Sequence, residues 1–167
     1  IAVVIKNKPD NKKTVMNISE TRHVPFAVVE AYKAIRTNLT FLLSNTKNKV
    51  FGITSPEAGE GKSTTSVNMA IAFSQLGDKV LLIDADMRKS ELLKKSSKKS
   101  EIVGLSSVLS GQASIEDAVF NTQDENFDVI FAGHYSAMAV ELLENGTFKR
   151  ALDVFRDNYD YVIIDSP

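Results

Sequence analysis

The sequence predicts an α/β fold: a doubly wound, mostly parallel sheet with helices on both faces. Three observations predict it. Apolar runs of strand length alternate with helical patterns along most of the chain. The run Val50-Phe51-Gly52-Ile53-Thr54 leads into a glycine-rich loop that opens a helix. Two further runs, Val80-Leu81-Leu82-Ile83 and Tyr161-Val162-Ile163-Ile164, each end on Asp. Neither alternates with polar residues, as expected of parallel strands covered on both faces.

The elements follow in order. Residues 1–25 read as an N-terminal arm, or as a segment derived from another protein. From Lys6 to Pro25 the arm is polar, and its apolar residues Val15, Met16 and Ile18 are too few to define a core. Phe26, Val29, Tyr32, Ile35, Leu39 and Leu43 then recur at helical spacing, which predicts a helix over 27–44. A strand at 50–54 and a helix from Lys62 to Leu76, stopped by Gly77, come next. Strands are expected at 80–84, 127–132 and 161–165, short helices at 105–110 and 114–120, and an amphipathic helix at 147–158. Residues 136–140 read as a loop. The chain stops two residues after its last strand, where a doubly wound domain is expected to continue. A missing C-terminal part is therefore expected, with 26–167 forming one domain.

Composition narrows the function. The chain has 167 residues, 43% hydrophobic and 25% charged, which is globular rather than disordered. The charge is 20 minus 21, or −1, so no basic field calls for nucleic acid. With no Cys and only His23 and His134, thiol chemistry and histidine-rich metal sites are excluded. The opening Ile1–Ile5 run is too short for a signal-peptide core, and no apolar run reaches the ~20 residues of a membrane span. A cytoplasmic location is expected. The basic run Lys94–Lys99 reads as a solvated loop, and His134 and Tyr135 as surface loop residues.

The chemistry concentrates in Ser55-Pro56-Glu57-Ala58-Gly59-Glu60-Gly61-Lys62-Ser63-Thr64. Gly61-Lys62-Ser63 fits the phosphate-binding loop pattern, although Pro56 stands at its first glycine. Its place between a strand and a helix is what polyphosphate binding requires. Gly59 and Gly61 allow unusual dihedrals, and the helix aims its positive end at the phosphates. Lys62 would reach the β- and γ-phosphates of a nucleotide, and Ser63 would ligate Mg²⁺. The sheet is thus of the P-loop NTPase type. Asp84, Asp86 and Asp165 fall at the C-terminal strand edge, where that loop opens. An isolated Asp there is often a turn or helix cap. Three beside one polyphosphate are better explained by Mg²⁺ binding and a general base. Arg88 fits either a phosphate contact or a salt bridge to Asp86.

On these residues the chain resembles the bacterial tyrosine kinases of capsule and exopolysaccharide synthesis, over about 26–167. Three boxes carry the resemblance in order: Ala58-Gly59-Glu60-Gly61-Lys62-Ser63, then Asp84-x-Asp86-x-Arg88, then Val162-Ile163-Ile164-Asp165-Ser166-Pro167. The resemblance implies ATP and Mg²⁺ as cofactors. It places Gly59, Glu60, Gly61, Lys62, Ser63, Thr64 and Arg88 at the nucleotide, Lys62, Asp84 and Asp86 in catalysis, and Ser63, Asp86 and Asp165 at the metal. Asp84 would be the base toward a tyrosine hydroxyl. The family's assembly helix, Glu-x-x-Arg-x-x-Arg, is matched by Glu30, Lys33 and Arg36, which implies a homo-oligomeric ring. The ordinary alternative is an i,i+3 charged helix face.

Further implied partners are protein tyrosines and the cytoplasmic tail of a membrane adaptor, or polysaccharide co-polymerase. Such a tail would hold the chain at the inner face of the membrane. There are departures. Ala58 stands for a Pro, and only Glu141-Leu142-Leu143 remains of the family's Pro-Pro-Asn-Pro-Ser-Glu-Leu-Leu. The chain's tyrosines are Tyr32, Tyr135, Tyr159 and Tyr161, with no clustered tail among them. Two alternatives stay open. One is a partitioning or cell-division-positioning switch ATPase, whose signature Lys is here Glu57. The other is a non-catalytic ATP-binding regulator of polymer length.

Overall fold

The computed structural model describes residues 3–4, 19–20, 26–46, 49–92 and 102–167. Of the N-terminal arm, β1 (Val3–Val4) pairs antiparallel with β2 (Ser19–Glu20). The rest of the arm and the basic run Lys94–Lys99 lie outside the described residues.

The domain is built on five strands: β3 (Lys49–Ile53), β4 (Val80–Asp84), β5 (Val119–Asn121), β6 (Phe127–Ile130) and β7 (Tyr161–Asp165). Their order is β3-β7-β4-β6-β5, and all neighbours run parallel except β5 against β6. The strand at 80–84 and the one at 161–165 fall where their apolar runs predict. Every residue of β4 is buried, and its side chains divide between two cores. Val80 and Leu82 join Phe73, Val129, Tyr161 and Ile163 on one face. Leu81 and Ile83 join Leu105, Ile130, Phe155 and Val162 on the other. A strand with two apolar faces is what a continuous hydrophobic run encodes.

One face is covered by α1 (Phe26–Leu42) and α2 (Lys62–Ser74). Phe73 of α2 stacks on Tyr161, with ring centroids 3.9 Å apart. The Lys49 ammonium donates to the Tyr161 hydroxyl at 2.9 Å. Such an aromatic pair contributes about 0.5–1.5 kcal/mol beyond its buried area. Helix α1 lies on the outside, with none of its residues fully buried. Arg36 ties it down by donating to the Ala72 carbonyl at 2.7 Å.

The opposite face carries α3 (Leu105–Leu109), α4 (Ile115–Ala118), α5 (Ala139–Glu144) and α6 (Thr147–Asn158). Ala151 and Phe155, four residues apart, form the inward stripe of α6.

Three expectations are corrected here. The helix expected at 114–120 is present but shorter, the four residues of α4, opened by a Ser114–Asp117 capping box. Its last residues instead form β5, because Val119 and Phe120 are β-formers that find Ile130 and Val129 as antiparallel partners. The segment 136–140, read as a loop, gives way to α5 from Ala139 onward. The strand expected to reach residue 132 ends at Ile130. The Phe131 and Ala132 carbonyls turn instead to the N–H groups of Leu105 and Ser106, at 2.7 and 3.0 Å. There Gly104 and Gly133 meet backbone to backbone: a Cβ on Gly104 would lie 2.5 Å from Gly133 Cα. This contact fixes the root of the loop that follows β6.

Candidate nucleotide site

The glycine-rich segment Ser55–Gly61 joins β3 to α2 and braces itself. Ser55 Oγ donates to the Glu57 carbonyl at 2.9 Å, and the Glu57 N–H donates to Glu60 Oε2 at 3.2 Å. That bond and one from Ser55 hold the Glu60 carboxyl below its usual range. Gly59 and Gly61 have φ values of 86° and 92°, a conformation closed to most side-chain-bearing residues.

Helix α2 starts at Lys62, after an N-cap glycine, Gly61, that offers no side chain, and it has no acidic residue in its first turn. Its first N–H donors and its positive end are therefore left to whatever sits before it. The Lys62 ammonium folds back over the loop, donating to Ser55 Oγ at 3.1 Å and to the Glu57 carbonyl at 3.3 Å. An open cleft of about 620 Å³ lies in front, lined by Ser55–Gly59, Gly61–Thr64, Asp86, Lys89, Glu91, Ser166 and Pro167. That is the size of a small-molecule site.

The carboxylates gather at the C-terminal strand edge, as the parallel sheet dictates. Asp84 and Asp165 are register partners at the ends of β4 and β7, and Ile53 is the next partner along. Asp84 is 1% exposed. Its carboxylate accepts from the Asp86 N–H at 3.1 Å and from the Ser90 hydroxyl. Burial pushes its pKa up to about 7; the Ser90 bond opposes this, and the neighbouring Asp165 charge adds to it.

Asp165 accepts from Ser66 Oγ at 3.0 Å. Burial raises its pKa too, against the opposing hydroxyls of Ser63 and Ser66. Asp86 lines the cleft, and its Oδ1 also caps a turn, accepting from the N–H groups of Arg88 and Lys89 at 3.2 and 2.8 Å. The capping and site readings of Asp86 are thus both met by geometry. Arg88 is exposed and reaches Asp86 through its backbone N–H rather than its guanidinium.

The structure thus brings Gly59, Gly61, Lys62, Ser63, Thr64 and Asp86 around one cleft, with Asp165 beside Ser63 and Asp84 beside Asp165. Residues 48–167 match the family described as the AAA domain. The chain belongs to that family.

The chain is similar to bacterial tyrosine kinases. It is 40% identical over 138 residues to the tyrosine-protein kinase CpsD of Streptococcus pneumoniae serotype 4, covering 83% of this chain and 60% of that protein. The chain therefore spans about 60% of the length of that curated relative. The solved BceF tyrosine kinase domain superposes with a TM-score of 0.80 at 35% identity, covering 92% of this chain and 61% of that one. The septum site-determining protein MinD of Pyrococcus horikoshii, complexed with Mg-ADP, gives a TM-score of 0.58 at 28% identity, over 71% of this chain and 49% of that one. The AAA domain described here is accordingly a P-loop nucleotide-binding fold.

The assembly-helix residues lie apart from the cleft. Glu30 and Lys33 form an exposed ion pair at 2.9 Å, and Arg36 is held by α2. Among the described residues no helix is long and apolar enough to cross a membrane.

Lys89 and Glu91 are cleft residues that the sequence reading did not single out, and Ser166 and Pro167, named there in the third box, were given no role. Ser166 and Pro167 directly follow a recognised strand-end Asp, which was the available signal. Ser66 was also missed; its position one helical turn after Lys62 was its only mark.

Proposed function

We propose that this AAA domain is the nucleotide-binding part of an ATP-dependent protein-tyrosine kinase serving capsular or extracellular polysaccharide synthesis. The observation that carries the reading is the uncapped start of α2, set in one cleft with Lys62 and Asp86, beside the Asp84–Asp165 register pair. Likeness to tyrosine kinases over 83% of the chain supports it.

In this reading the N–H groups of Gly59, Glu60, Gly61, Ser63 and Thr64 cradle the ATP phosphates. Lys62 leaves Ser55 and the Glu57 carbonyl to neutralise the β- and γ-oxygens. Arg88, exposed beside the cleft, adds a second cation. Asp84 accepts the proton of the attacking tyrosine hydroxyl, because a base whose pKa is pushed up to about 7 is matched to neutral pH.

Among the described residues no group of three or more acidic or histidine side chains forms a ready metal cage. A hydroxyl from Ser63 and carboxylates from Asp86 and Asp165 nonetheless fit Mg²⁺, which keeps several waters and takes few protein ligands. When bound, Mg²⁺ would neutralise charge on the phosphates.

The reading extends to partners. Glu30 and Lys33 present the exposed side of α1 for ring assembly with further copies. The cytoplasmic tail of a membrane adaptor, or polysaccharide co-polymerase, would hold the chain at the inner membrane face. Residues 1–25 act as an arm apart from the kinase domain at 26–167. The likeness to MinD keeps a switch ATPase as the second reading. Glu57 speaks against it, since an acidic side chain cannot stabilise phosphate charge across a dimer.

The test supplies Mg·ATP and a synthetic Glu-Tyr polymer, with and without an adaptor tail. Phosphotyrosine and free phosphate are read together, and Lys62→Met serves as the blank. Lys62-dependent phosphotyrosine is the expected result. Phosphate release alone would replace the kinase with the switch ATPase, and ATP binding with neither product would replace it with the regulator.

A further inference from the structure

We infer that Tyr135 is a phosphoacceptor of this kinase domain, a modification site inside the folded unit; the inference rests on the kinase reading above. The chain has four tyrosines, and all four are described. Three are spoken for. Tyr161 is 1% exposed, stacked on Phe73, and its hydroxyl accepts from Lys49. The Tyr159 hydroxyl donates to Asp128 at 2.8 Å, and burial beside that carboxylate makes it harder to ionise. Tyr32 is half-buried against the core that α1 and α2 share with the sheet. Tyr135 alone is open, at 73% exposure, and its hydroxyl is bonded to no described residue.

Its place matters as much as its exposure. Tyr135 follows β6 at the C-terminal strand edge, the edge that carries Asp84, Asp86 and Asp165. The neighbouring Ser136 N–H donates to the Met87 carbonyl at 3.1 Å, which fastens this loop to the turn after Asp86. Asp86 and Lys89 of that turn line the cleft. Gly104 and Gly133 hold the loop's root by direct backbone contact. An acceptor must combine an accessible hydroxyl with repeated presentation at one place, and this loop supplies both.

The chain also offers charge for the product. Arg88 and Lys89, both exposed, directly follow Met87, so a phosphate on Tyr135 would find two cations on the turn to which its loop is tied. In the transfer, the Tyr135 oxygen forms a bond to the γ-phosphorus of ATP as the bond to the β,γ-bridging oxygen breaks. ADP leaves with that electron pair, and the phenolic proton passes to the base carboxylate.

The experiment incubates the 167-residue chain with Mg·ATP and the Glu-Tyr polymer in one tube, with and without an adaptor tail, and maps phosphate by peptide mass spectrometry. Phosphate on the Tyr135 peptide is expected, absent in Lys62→Met. Tyr135→Phe should lose nearly all chain labelling while polymer labelling stays within about twofold. Its thermal midpoint should match wild type, because the side chain is exposed. Labelled polymer with an unlabelled Tyr135 peptide would overturn this inference and leave the kinase reading intact. If neither is labelled under any condition, the kinase reading fails and this inference falls with it.

Discussion

The two ends of the strands use the same residue type to opposite effect. At the C-terminal end stand Asp84 and Asp165, buried side by side and bonded only by neutral donors among the described residues. At the N-terminal end stand Asp128 and Asp160. Both Asp128 oxygens are taken, by Asn121 Nδ2 at 2.7 Å and by the Tyr159 hydroxyl at 2.8 Å. Asp160 caps the approach to β4 by accepting from the Lys79 N–H at 2.8 Å. One end is a set of carboxylates whose charge the fold disfavours. The other is a set of carboxylates that the fold uses as fasteners. A parallel sheet makes this separation possible, because its loops open a crevice on one edge only.

Lys62→Met should break the comparison most severely. Losing the cation that faces the phosphates should reduce tyrosine phosphorylation by about 10³-fold or more. Chemical denaturation should barely register it, since its bonds lie in an exposed loop.

Asp84→Asn is next. Turnover should fall by about 10²–10⁴-fold while ATP binding, read by titration, persists. Unchanged phosphotransfer would remove Asp84 as the base. Asp128→Asn sharpens the contrast from the other end. It should leave turnover within about twofold, yet cost about 1–3 kcal/mol of stability in denaturant, because Tyr159 and Asn121 lose a charged acceptor.

Gly133→Ala should cost about 2–4 kcal/mol, combining a φ of 81° with a Cβ set 2.6 Å from Ser106 Oγ. That change would loosen the loop carrying Tyr135 and leave the P-loop in place.

The last contrast is the dependence on pH. Asp84 and Asp165 have folded-state pKa values raised by burial, so the folded chain holds their protons more tightly than the unfolded one. The stability they allow is complete below the unfolded pKa of ~3.9 and is lost as pH rises through about 7 for Asp84. The steepest slope for one proton is about 1.4 kcal/mol per pH unit. Without nucleotide, the unfolding free energy should fall by up to about this much per pH unit between about pH 4 and pH 7 and level off above it, and Asp84→Asn should flatten the curve. Mg·ATP should flatten it as well, because a Mg²⁺ ion held beside Asp165 would favour the ionised carboxylates. An upward slope over that range would contradict the burial of these two groups.

The fold was legible where one physical cause dominated. β4, β7 and α6 carry patterns with a single reading, a two-faced apolar run or an inward stripe, and they lie where the sequence places them. β5 was not legible, because Val119-Phe120-Asn121 is too short to show a period and becomes a strand only when β6 lies alongside. Residues 139–144 form a helix without a capping side chain, so nothing local announced its start. The Gly104–Gly133 contact joins residues far apart in sequence, and each glycine alone reads as an ordinary turn.

At the site, the glycine loop and the strand-end Asp residues were visible from their order. The depth of Asp84 was not, because exposure depends on how Ser90 and Asp165 close around it. Arg36 was expected on an assembly face. Its bond to Ala72 uses it within the chain, a partnership that helix spacing alone does not reveal.

The folded-back Lys62 changes the kind of event that nucleotide arrival is. A free lysine carries about 2 kcal/mol of rotamer entropy that any new partner must overcome. Here Ser55 and the Glu57 carbonyl have already confined the chain, so an incoming triphosphate trades one set of oxygens for another. The exchange also makes the loop discriminating. A single weak anion offers little more than the oxygens it would displace, whereas a polyphosphate reaches the ammonium and the open helix start together. In the proposed reading, selectivity for nucleotides over small anions would rest on these two internal hydrogen bonds of the resting loop.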